Sequence, residues 1–341
     1  MRKYEEDILA VTRLDLPWEK LVGRSILVTG ATGLIGYALV DALLSKEDLD
    51  CVVYASGRNE KRAEMLFGRN AESPKLRFLR HDVMQPLEYD VQFDYIVHCA
   101  SGAAPSEFAL HPVEVMKSNI FGVSHLLDYG REHGMKRFIY VSSGEVYGEG
   151  DGRVFTEGYS GYVNPLSPRS CYPSAKRAAE TLCASYAAEY GVDVVVARPC
   201  HIYGPHFTEA DSRAYAQFIR NVLKGEDIVM KSTGEQFRSW CYVADCVSAL
   251  LHILLKGESG QAYNIADEGS NISIRELAEM IAGIGNKRVV IDLPSDSEKV
   301  GFNVVRKSVF SAEKLQSLGW YISGNMKEKI ETTINECKYL K

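Results

Sequence analysis

The 341-residue sequence lacks the features of several large protein classes. Its longest run without Asp, Glu, Lys or Arg covers sixteen residues, 25–40, and contains three glycines. A membrane-spanning helix needs about 20 apolar residues. The start, MRKYEEDILAV, is charged and has no apolar signal-peptide core. Lys and Arg total 39 against 45 for Asp and Glu, a net charge of −6, so there is no overall basic field for nucleic acid. We expect a cytoplasmic protein that binds neither membrane nor nucleic acid.

Metal-binding and disulfide patterns are also missing. The eight cysteines form no C-x-x-C pair, and no histidine stands at zinc-finger spacing. Several cysteines lie in apolar runs such as VHCAS and DCVSALL, where a free cysteine behaves as a small hydrophobic residue. The chain is long enough to bury a core without covalent support. We therefore expect reduced, buried thiols and no metal site.

What the sequence does contain is a regular alternation of strands and helices. Short apolar, β-branched segments alternate with helical patterns such as IGYALVDALLSK, which indicates a parallel sheet covered on both faces. The predicted strands are 25–30, 51–56, 75–80, 95–100, 137–143 and 193–198. The fold class is α/β: a Rossmann doubly wound parallel sheet with a smaller C-terminal substrate-binding α/β domain.

The order of strand and helix patterns along the sequence suggests three regions. Residues 1–24 read as a helical or irregular N-terminal extension, and 25–198 read as the dinucleotide-binding Rossmann domain. Helical patterns dominate from 199 to 341, which we assign mainly to substrate binding. Some segments of this last region can return to the sheet.

A glycine-rich turn, TGATGLIG (29–36), follows the first strand and opens a helix. Gly30 permits the tight turn, Gly33 lets the backbone approach a pyrophosphate, and Gly36 allows close helix–strand packing. The helix N-terminus supplies free N–H groups and partial positive charge to phosphates. The turn thus provides the cofactor-binding candidates Gly30, Thr32, Gly33, Leu34, Ile35 and Gly36.

The residue type that selects NAD is absent after the second strand. An Asp or Glu there binds the ribose 2′-hydroxyl of NAD, but this chain has Ser56, Gly57 and Arg58. Arg58 and Arg62 could accommodate the 2′-phosphate of NADP, so NAD and NADP both remain open. Asp82 and Val83 follow the third strand and are candidates for the adenine side of the site. Further cofactor candidates at the end of the fourth strand are Ala100 and Ser101.

Tyr172 and Lys176 stand four residues apart at the start of a strong helical pattern, and so share one helix face. A neighbouring ammonium stabilises a phenolate and lowers the pKa of the tyrosine. Such a tyrosine can take the proton of an alcohol that is being oxidised at the same carbon, and lysine can hold the nicotinamide ribose. We name both residues as catalytic and cofactor-binding candidates.

Two more catalytic candidates close the fifth strand. Ser143 and Glu145 lie where ligands of such sheets bind, outside the carboxyl ends of the strands. Ser143 is placed to hydrogen-bond the reacting hydroxyl, or else it only caps a turn. Glu145 is a proton-transfer group, a sugar-hydroxyl acceptor or a solvated turn residue.

Taken together, TGATGLIG, SSGEVYG and YPSAK resemble the extended short-chain dehydrogenases/reductases that act on nucleotide sugars. The resemblance runs from about 24 to 320, and it is nearest to UDP-glucuronate decarboxylases through PRSCY (168–172) and LGW (318–320). It implies that Asn119 lines the cofactor site and that Arg238 lies near the diphosphate or sugar. It also implies a nucleotide-diphosphate sugar as substrate and a homodimer.

The sequence departs from that family at several positions. Decarboxylases usually carry Thr and Ser where Ser143 and Gly144 stand, and 4,6-dehydratases carry an acid at the Gly144 position. His201 replaces a substrate-binding Asn. Further substrate-binding candidates are Arg213, which could clamp a diphosphate together with Arg238, and Arg306.

The resemblance implies oxidation of the sugar at C4 by bound NAD(P), followed by decarboxylation and return of the hydrogen. A 4-epimerase or a 4,6-dehydratase is the alternative within the class. Two further alternatives are a non-catalytic regulator that binds a dinucleotide and a reductase that consumes NADPH. The reductase is suggested only by Arg58.

Overall fold

A seven-stranded, all-parallel sheet organises the protein. The computed structural model describes residues 1–70, 72–293 and 307–340. The strand order is β10-β6-β5-β4-β1-β2-β3, which is a doubly wound sheet. The strands are β1 (Arg24–Thr29), β2 (Cys51–Gly57), β3 (Leu76–Arg80), β4 (Tyr95–His98), β5 (Arg137–Val141), β6 (Val194–Pro199) and β10 (Ala262–Ile265).

The six strands predicted from the sequence are therefore confirmed, and the seventh comes from the second half of the chain. Helices cover both faces of the sheet. The helices of the described part of the chain are α1 (Lys3–Thr12), α2 (Leu34–Ser45), α3 (Glu60–Phe67), α4 (Pro105–Leu110), α5 (Pro112–Glu132), α6 (Cys171–Tyr190), α7 (Ala214–Lys224), α8 (Val243–Lys256), α9 (Ile274–Ile284), α10 (Glu313–Gln316) and α11 (Met326–Tyr339).

Two apolar clusters hold the layers together. Ile26 and Val28 of β1 belong to the larger cluster, which includes side chains of α2 and α8. Leu27 belongs to the other, with side chains of α5 and α6. This separation follows from the alternation of side chains along a strand, and both faces are apolar because both are covered. The carboxyl ends of the strands remain accessible between the layers.

Smaller sheets lie in the second half of the chain. β7 (His201–Tyr203), β9 (Phe237–Tyr242), β11 (Asp267–Ser273) and β13 (Lys307–Ser308) form one of them, and β8 (Ile228–Met230) pairs with β12 (Val289–Ile291). β7 begins directly after β6 ends at Pro199, so it places His201 beside the main sheet.

The eight cysteines are free thiols, and six of them are buried. Among the described residues, no helix has both the length and the apolar content needed to cross a bilayer.

Candidate active site

The glycine turn after β1 is built for close approach of a phosphate. Gly30 has a φ of +66°, and a Cβ there would lie 2.7 Å from the Ala100 backbone, so the position requires glycine. A Cβ on Gly36 would overlap the Gly30 carbonyl. Gly33 is the N-cap of α2 and provides no side-chain cap. The first N–H groups of α2, including those of Leu34 and Ile35, can therefore donate hydrogen bonds to an anion.

The end of β2 is polar but carries no carboxylate. Ser56 is buried, and its hydroxyl has no hydrogen-bond partner among the described residues. The Arg58 side chain is 78% exposed and lies 3.7 Å from the Asp82 carboxylate. Arg62 is differently placed: it donates to the Thr32 carbonyl at 2.9 Å and to the His206 carbonyl at 2.9 Å. Arg62 is thus engaged by the backbone, whereas Arg58 is accessible.

The other cofactor candidates follow the neighbouring strands. Ser101 lies three residues after the end of β4 at His98, and its hydroxyl donates to the Asn119 side-chain oxygen of α5 at 2.9 Å. Val83 packs near Gly122 of α5. The glycine cradle, the uncapped α2 N-terminus and the unpartnered Ser56 hydroxyl fit a dinucleotide at this edge of the sheet.

A cavity of about 400 Å³ opens at the carboxyl ends of the central strands. It brings together candidates that are far apart in the sequence. Its lining includes Ile35, Ser101, Ser143, Glu145, Tyr172, Lys176, His201, Arg213 and Arg238. Of the remaining candidates, Arg306 lies outside the described residues. Within those residues, no group of three or more His, Cys, Asp or Glu side chains is placed to hold a metal ion.

Tyr172 and Lys176 lie in the first two turns of α6, and both are buried. The Lys176 ammonium donates to the Val141 carbonyl at 3.0 Å and lies 5.6 Å from the centre of the Tyr172 ring. The two residues therefore meet at the end of β5, as the spacing predicts.

The pKa of Tyr172 is shifted in the opposite direction to the one expected. Burial, and then the negative charge of Glu145, raise the pKa of Tyr172 to about 12, while the hydroxyls of Ser143 and Ser101 act to lower it. Burial also lowers the pKa of Lys176 to about 7, so this lysine is a weaker source of positive charge than an exposed one. The expectation overlooked that the whole pair is desolvated.

Ser143 is the N-cap of a 3-10 turn (Gly144–Tyr147), and its hydroxyl accepts from the Glu145 N–H at 3.2 Å. Capping and proximity to Tyr172 are thus combined in one side chain. A Cβ on Gly144 would overlap the Phe310 ring, which also lines the cavity. The Phe310 ring is held in turn by Tyr147 and Phe155, each 5.5 Å away between ring centres.

Glu145 is held by an arginine. Arg169 donates to both of its carboxylate oxygens, at 3.1 and 3.0 Å, and both side chains are about one-third exposed. This two-point geometry is the strongest form of a guanidinium–carboxylate pair. Glu145 therefore faces the cavity as a paired carboxylate rather than a solvated one.

The predicted substrate-binding residues differ in how they are held. Arg213 is bound to the Asp211 carboxylate, with its Nε at 2.9 Å from Oδ1. Arg238 is buried, and burial lowers its pKa to about 10. His201 is the first residue of β7 and lines the cavity. Burial, and then the charges of Arg238 and Arg213, lower its pKa to about 3. His201 is thus neutral at physiological pH and can hydrogen-bond without adding charge.

Among the residues around the site that were given no role from the sequence, Arg169, Phe108 and Phe310 make the contacts that bear most directly on Tyr172 and Ser143. Phe108 stacks on the Tyr172 ring, with 4.6 Å between ring centres. Arg169 could have been considered because a charged residue stands three positions before Tyr172. No local pattern distinguishes Phe108 or Phe310 from other apolar residues, since their roles depend on contacts distant in sequence.

Comparison with known proteins identifies the family of the chain. Residues 26–266 match the NAD dependent epimerase/dehydratase family. UDP-glucuronic acid decarboxylase 6 from Arabidopsis thaliana is 34% identical over 302 residues, covering 86% of this chain and 83% of the relative. Among solved structures, UDP-N-acetylglucosamine 4-epimerase from Methanobrevibacter ruminantium M1, in complex with UDP-N-acetylmuramic acid, has a TM-score of 0.79 and 25% identity, covering 92% and 97% of the two chains.

The fold is shared more widely. UDP-glucuronic acid 4-epimerase from Bacillus cereus, in complex with UDP-glucuronic acid and NAD, has a TM-score of 0.80 at 22% identity, covering 93% of this chain and 100% of the other. The family expected from TGATGLIG, SSGEVYG and YPSAK is confirmed: the chain belongs to the NAD-dependent epimerase/dehydratase family.

Proposed function

We propose that the protein is a UDP-glucuronate decarboxylase that oxidises the sugar at C4, releases the C5 carboxylate as CO₂ and reduces the ketone again. One observation carries the proposal. Tyr172, Ser143 and Lys176 meet in a cavity with Arg238, in a chain that is 34% identical to a UDP-glucuronic acid decarboxylase over most of its length.

Tyr172 is the acid–base group of this reaction. In its phenolate form, which the positive charge of an oxidised nicotinamide bound beside it would favour against the effect of burial, its oxygen takes the proton of the C4 hydroxyl as the C4–H bond breaks, and the Ser143 hydroxyl orients the same oxygen of the sugar. A bound nicotinamide dinucleotide supplies the acceptor, and later the donor, of the hydrogen on C4. Lys176, anchored on the Val141 carbonyl, keeps the tyrosine side of the cavity positively charged when protonated.

Decarboxylation follows from the ketone. A C5 carboxylate is β to the C4 carbonyl, so the C5–carboxyl bond breaks and its electron pair moves into an enolate. CO₂ leaves, C5 takes up a proton, and Tyr172 returns its proton to the C4 oxygen as that carbon is reduced. The cofactor is therefore recycled, and the absorbance at 340 nm does not change during turnover.

Different residues of the cavity bind the phosphates and the sugar of the substrate. Arg238 lines the cavity and can bind a diphosphate through two N–H groups. The neutral His201 beside it supplies a hydrogen bond. Elimination of water from the sugar would need an acid at the leaving oxygen, and the Phe310 ring fills the space of any side chain at position 144. This favours decarboxylation over dehydration.

The finer cofactor and assembly assignments are also proposals. Because no carboxylate follows β2 and Arg58 is exposed there, we infer that the site accepts NADP as well as NAD. We further infer a cytoplasmic homodimer. The exposed apolar side chains Val113, Met116 and Phe121 on α5 support a self-association surface, and sedimentation analysis tests it.

The function is tested on the purified protein. Any dinucleotide released by denaturation is identified, and UDP-glucuronate, UDP-glucose and other UDP-, dTDP-, GDP- and CDP-sugars are screened for CO₂ and product mass. We expect CO₂ and a UDP-pentose from UDP-glucuronate, without net change at 340 nm. Turnover of a neutral hexose with no CO₂ from UDP-glucuronate would overturn the proposal.

A tyrosine pair separates catalysis from mere dinucleotide binding. Tyr172→Phe should reduce turnover by about a hundredfold or more, because the proton acceptor is lost. The control is Tyr190→Phe, since Tyr190 lies at the other end of α6 and is exposed. Activity of Tyr172→Phe equal to that of the control would favour a non-catalytic role.

A further inference from the structure

Arg169 contacts two groups that influence the reacting tyrosine. It lies in a 3-10 turn (Pro168–Ser170) directly before α6. Its guanidinium grips both oxygens of Glu145, at 3.1 and 3.0 Å. The same guanidinium lies over the Phe108 ring, 4.8 Å from its centre. One side chain therefore joins the 3-10 turn after β5, the short helix α4 and the start of α6.

Phe108 extends this contact to Tyr172. The two rings stack at 4.6 Å with an angle of 21° between their planes, and both belong to a small buried cluster with Val115 and Cys171. A stacked neighbour restricts the motion of a tyrosine ring, and a cation over that neighbour restricts the neighbour as well. Arg169, Phe108 and Tyr172 thus form a continuous stack at the cavity.

The charge of Arg169 also matters for the phenol. Glu145 is negatively charged and disfavours the phenolate form of Tyr172. Arg169 opposes that effect because it neutralises Glu145 at close range. Within the described residues, the other titratable or charged groups facing Tyr172 include Lys176 of α6, Arg213 before α7, Tyr140 of β5 and the adjacent Cys171, while Arg238 of β9 faces Glu145.

We propose that Arg169 is a positioning residue: it fixes the Glu145 carboxylate through a two-point fork, holds the Tyr172 ring through Phe108, and thereby tunes proton transfer at the phenol. This inference rests on the proposed role of Tyr172 as proton acceptor. It gives Glu145 a defined task, which is to balance Arg169 beside the phenol, and it leaves proton transfer itself to Tyr172.

The test is the pH dependence of turnover, which a merely structural arginine would not change. The rate is measured on the dinucleotide-bound protein, in which the positive charge of an oxidised nicotinamide lowers the pKa of Tyr172 from the value that burial sets, and it rises with pH as Tyr172 loses its proton. In Arg169→Ala, the unpaired Glu145 charge should move the midpoint of that rise about one unit higher. In Glu145→Gln, removal of the repulsion should move it lower. The double variant should return close to the wild-type midpoint, because neither charge remains.

Two conservative variants separate charge from geometry. Arg169→Lys keeps the charge but not the fork, so the midpoint should stay near that of the wild type while the maximal rate falls several-fold. Phe108→Leu keeps an apolar cover but loses the stack, and should also lower the rate without moving the midpoint. Arg153→Ala is the control, since Arg153 is exposed and paired with Asp151 in a loop. Thermal unfolding verifies that each variant is folded.

The inference is overturned if folded Arg169→Ala keeps the wild-type midpoint, or if it and Glu145→Gln shift in the same direction. Its failure is separate from that of the proposed function. If UDP-glucuronate yields no CO₂ but another nucleotide sugar is turned over, the decarboxylase proposal fails and the pH profile is measured on that sugar. If no sugar reacts, tyrosinate absorbance of each dinucleotide-bound variant, minus that of the same variant carrying Tyr172→Phe, reports the midpoints without substrate.

Discussion

The Phe310 ring limits which residue position 144 can hold. Phe310 is fixed by Tyr147 and Phe155, and its backbone N–H donates to the Ser239 hydroxyl at 3.0 Å. Its ring therefore cannot move away easily from a larger residue at 144. The glycine is a packing requirement, and its chemical consequence is an apolar wall next to Ser143.

We predict that Gly144→Ser lowers the free energy of unfolding by about 1–3 kcal/mol, because the new side chain overlaps the Phe310 ring. Urea unfolding measures this. Gly158→Ser is the control, since a Cβ at Gly158 meets nothing within 4 Å. Adding Phe310→Ala to Gly144→Ser should relieve the overlap, so that replacing Phe310 destabilises the Gly144→Ser protein less than the wild type. A Gly144→Ser variant as stable as the control would contradict this account.

For single residues, the sequence predicts which side chains lie together, but not how burial and neighbouring charges shift their pKa values. Four-residue spacing places Tyr172 and Lys176 on one helix face, and the strand end places Ser143 near them. The upward shift of the Tyr172 pKa depends on burial and on Glu145, which only the folded chain reveals. The pairing of Glu145 with Arg169 is likewise invisible in the sequence.

At the scale of elements, the strands and the glycine turn were predictable because their signals are local. Uninterrupted apolar runs mark the buried parallel strands, and the glycines mark the tight turn. The role of Arg62 was not local: it joins the turn after β1, through the Thr32 carbonyl, to the His206 carbonyl in the second half of the chain. Arg62 already donates to two backbone carbonyls, whereas Arg58, directly after β2, has a side chain that is 78% exposed.

We predict that Arg58→Glu weakens NADP binding by at least about tenfold and leaves NAD binding unchanged or stronger. The added carboxylate repels a 2′-phosphate and can accept from a 2′-hydroxyl. Calorimetric titration of both dinucleotides measures the ratio, and Lys61→Glu on α3 is a control with the same charge change. Equal losses for NAD and NADP in Arg58→Glu would show that Arg58 does not face the 2′ position.

At the scale of the whole molecule, the N-terminal region is part of the core. Tyr4, Ile8 and Val11 of α1 are buried in the larger apolar cluster, and Arg2 forms an ion pair with Glu336 of α11 at 2.8 Å. The sequence predicts a helical or irregular segment here but not its docking, because the partners lie at the far end of the chain. Removal of α1 would expose apolar surface of α2 and α8.

The region where α1 packs on α2 gives the free energy of unfolding a pH dependence. Burial raises the pKa of Asp41, in α2, to about 6, with Arg69 acting against that rise. The unfolded chain releases this proton near pH 4, so between about pH 4 and 6 the folded state holds a proton that the unfolded state has lost. The contribution of Asp41 to the free energy of unfolding therefore falls as pH rises through this window and is constant above it.

We predict that Asp41→Asn raises the free energy of unfolding by up to about 3 kcal/mol at pH 8 and has little effect at pH 4. Urea unfolding at the two pH values measures the difference. The exposed Asp50→Asn serves as the control and should show no such dependence. A gain of equal size at both pH values would exclude titration of Asp41 as the cause.

The position of β10 has a consequence for biosynthesis. The outer edge of β6 is paired with β10, which is translated more than sixty residues later. While the ribosome makes the intervening segment, the nascent sheet keeps an open, hydrogen-bonding edge, and such edges recruit other chains. The last stage of sheet assembly therefore waits for residue 265 to emerge, and chaperone protection is most useful in that interval.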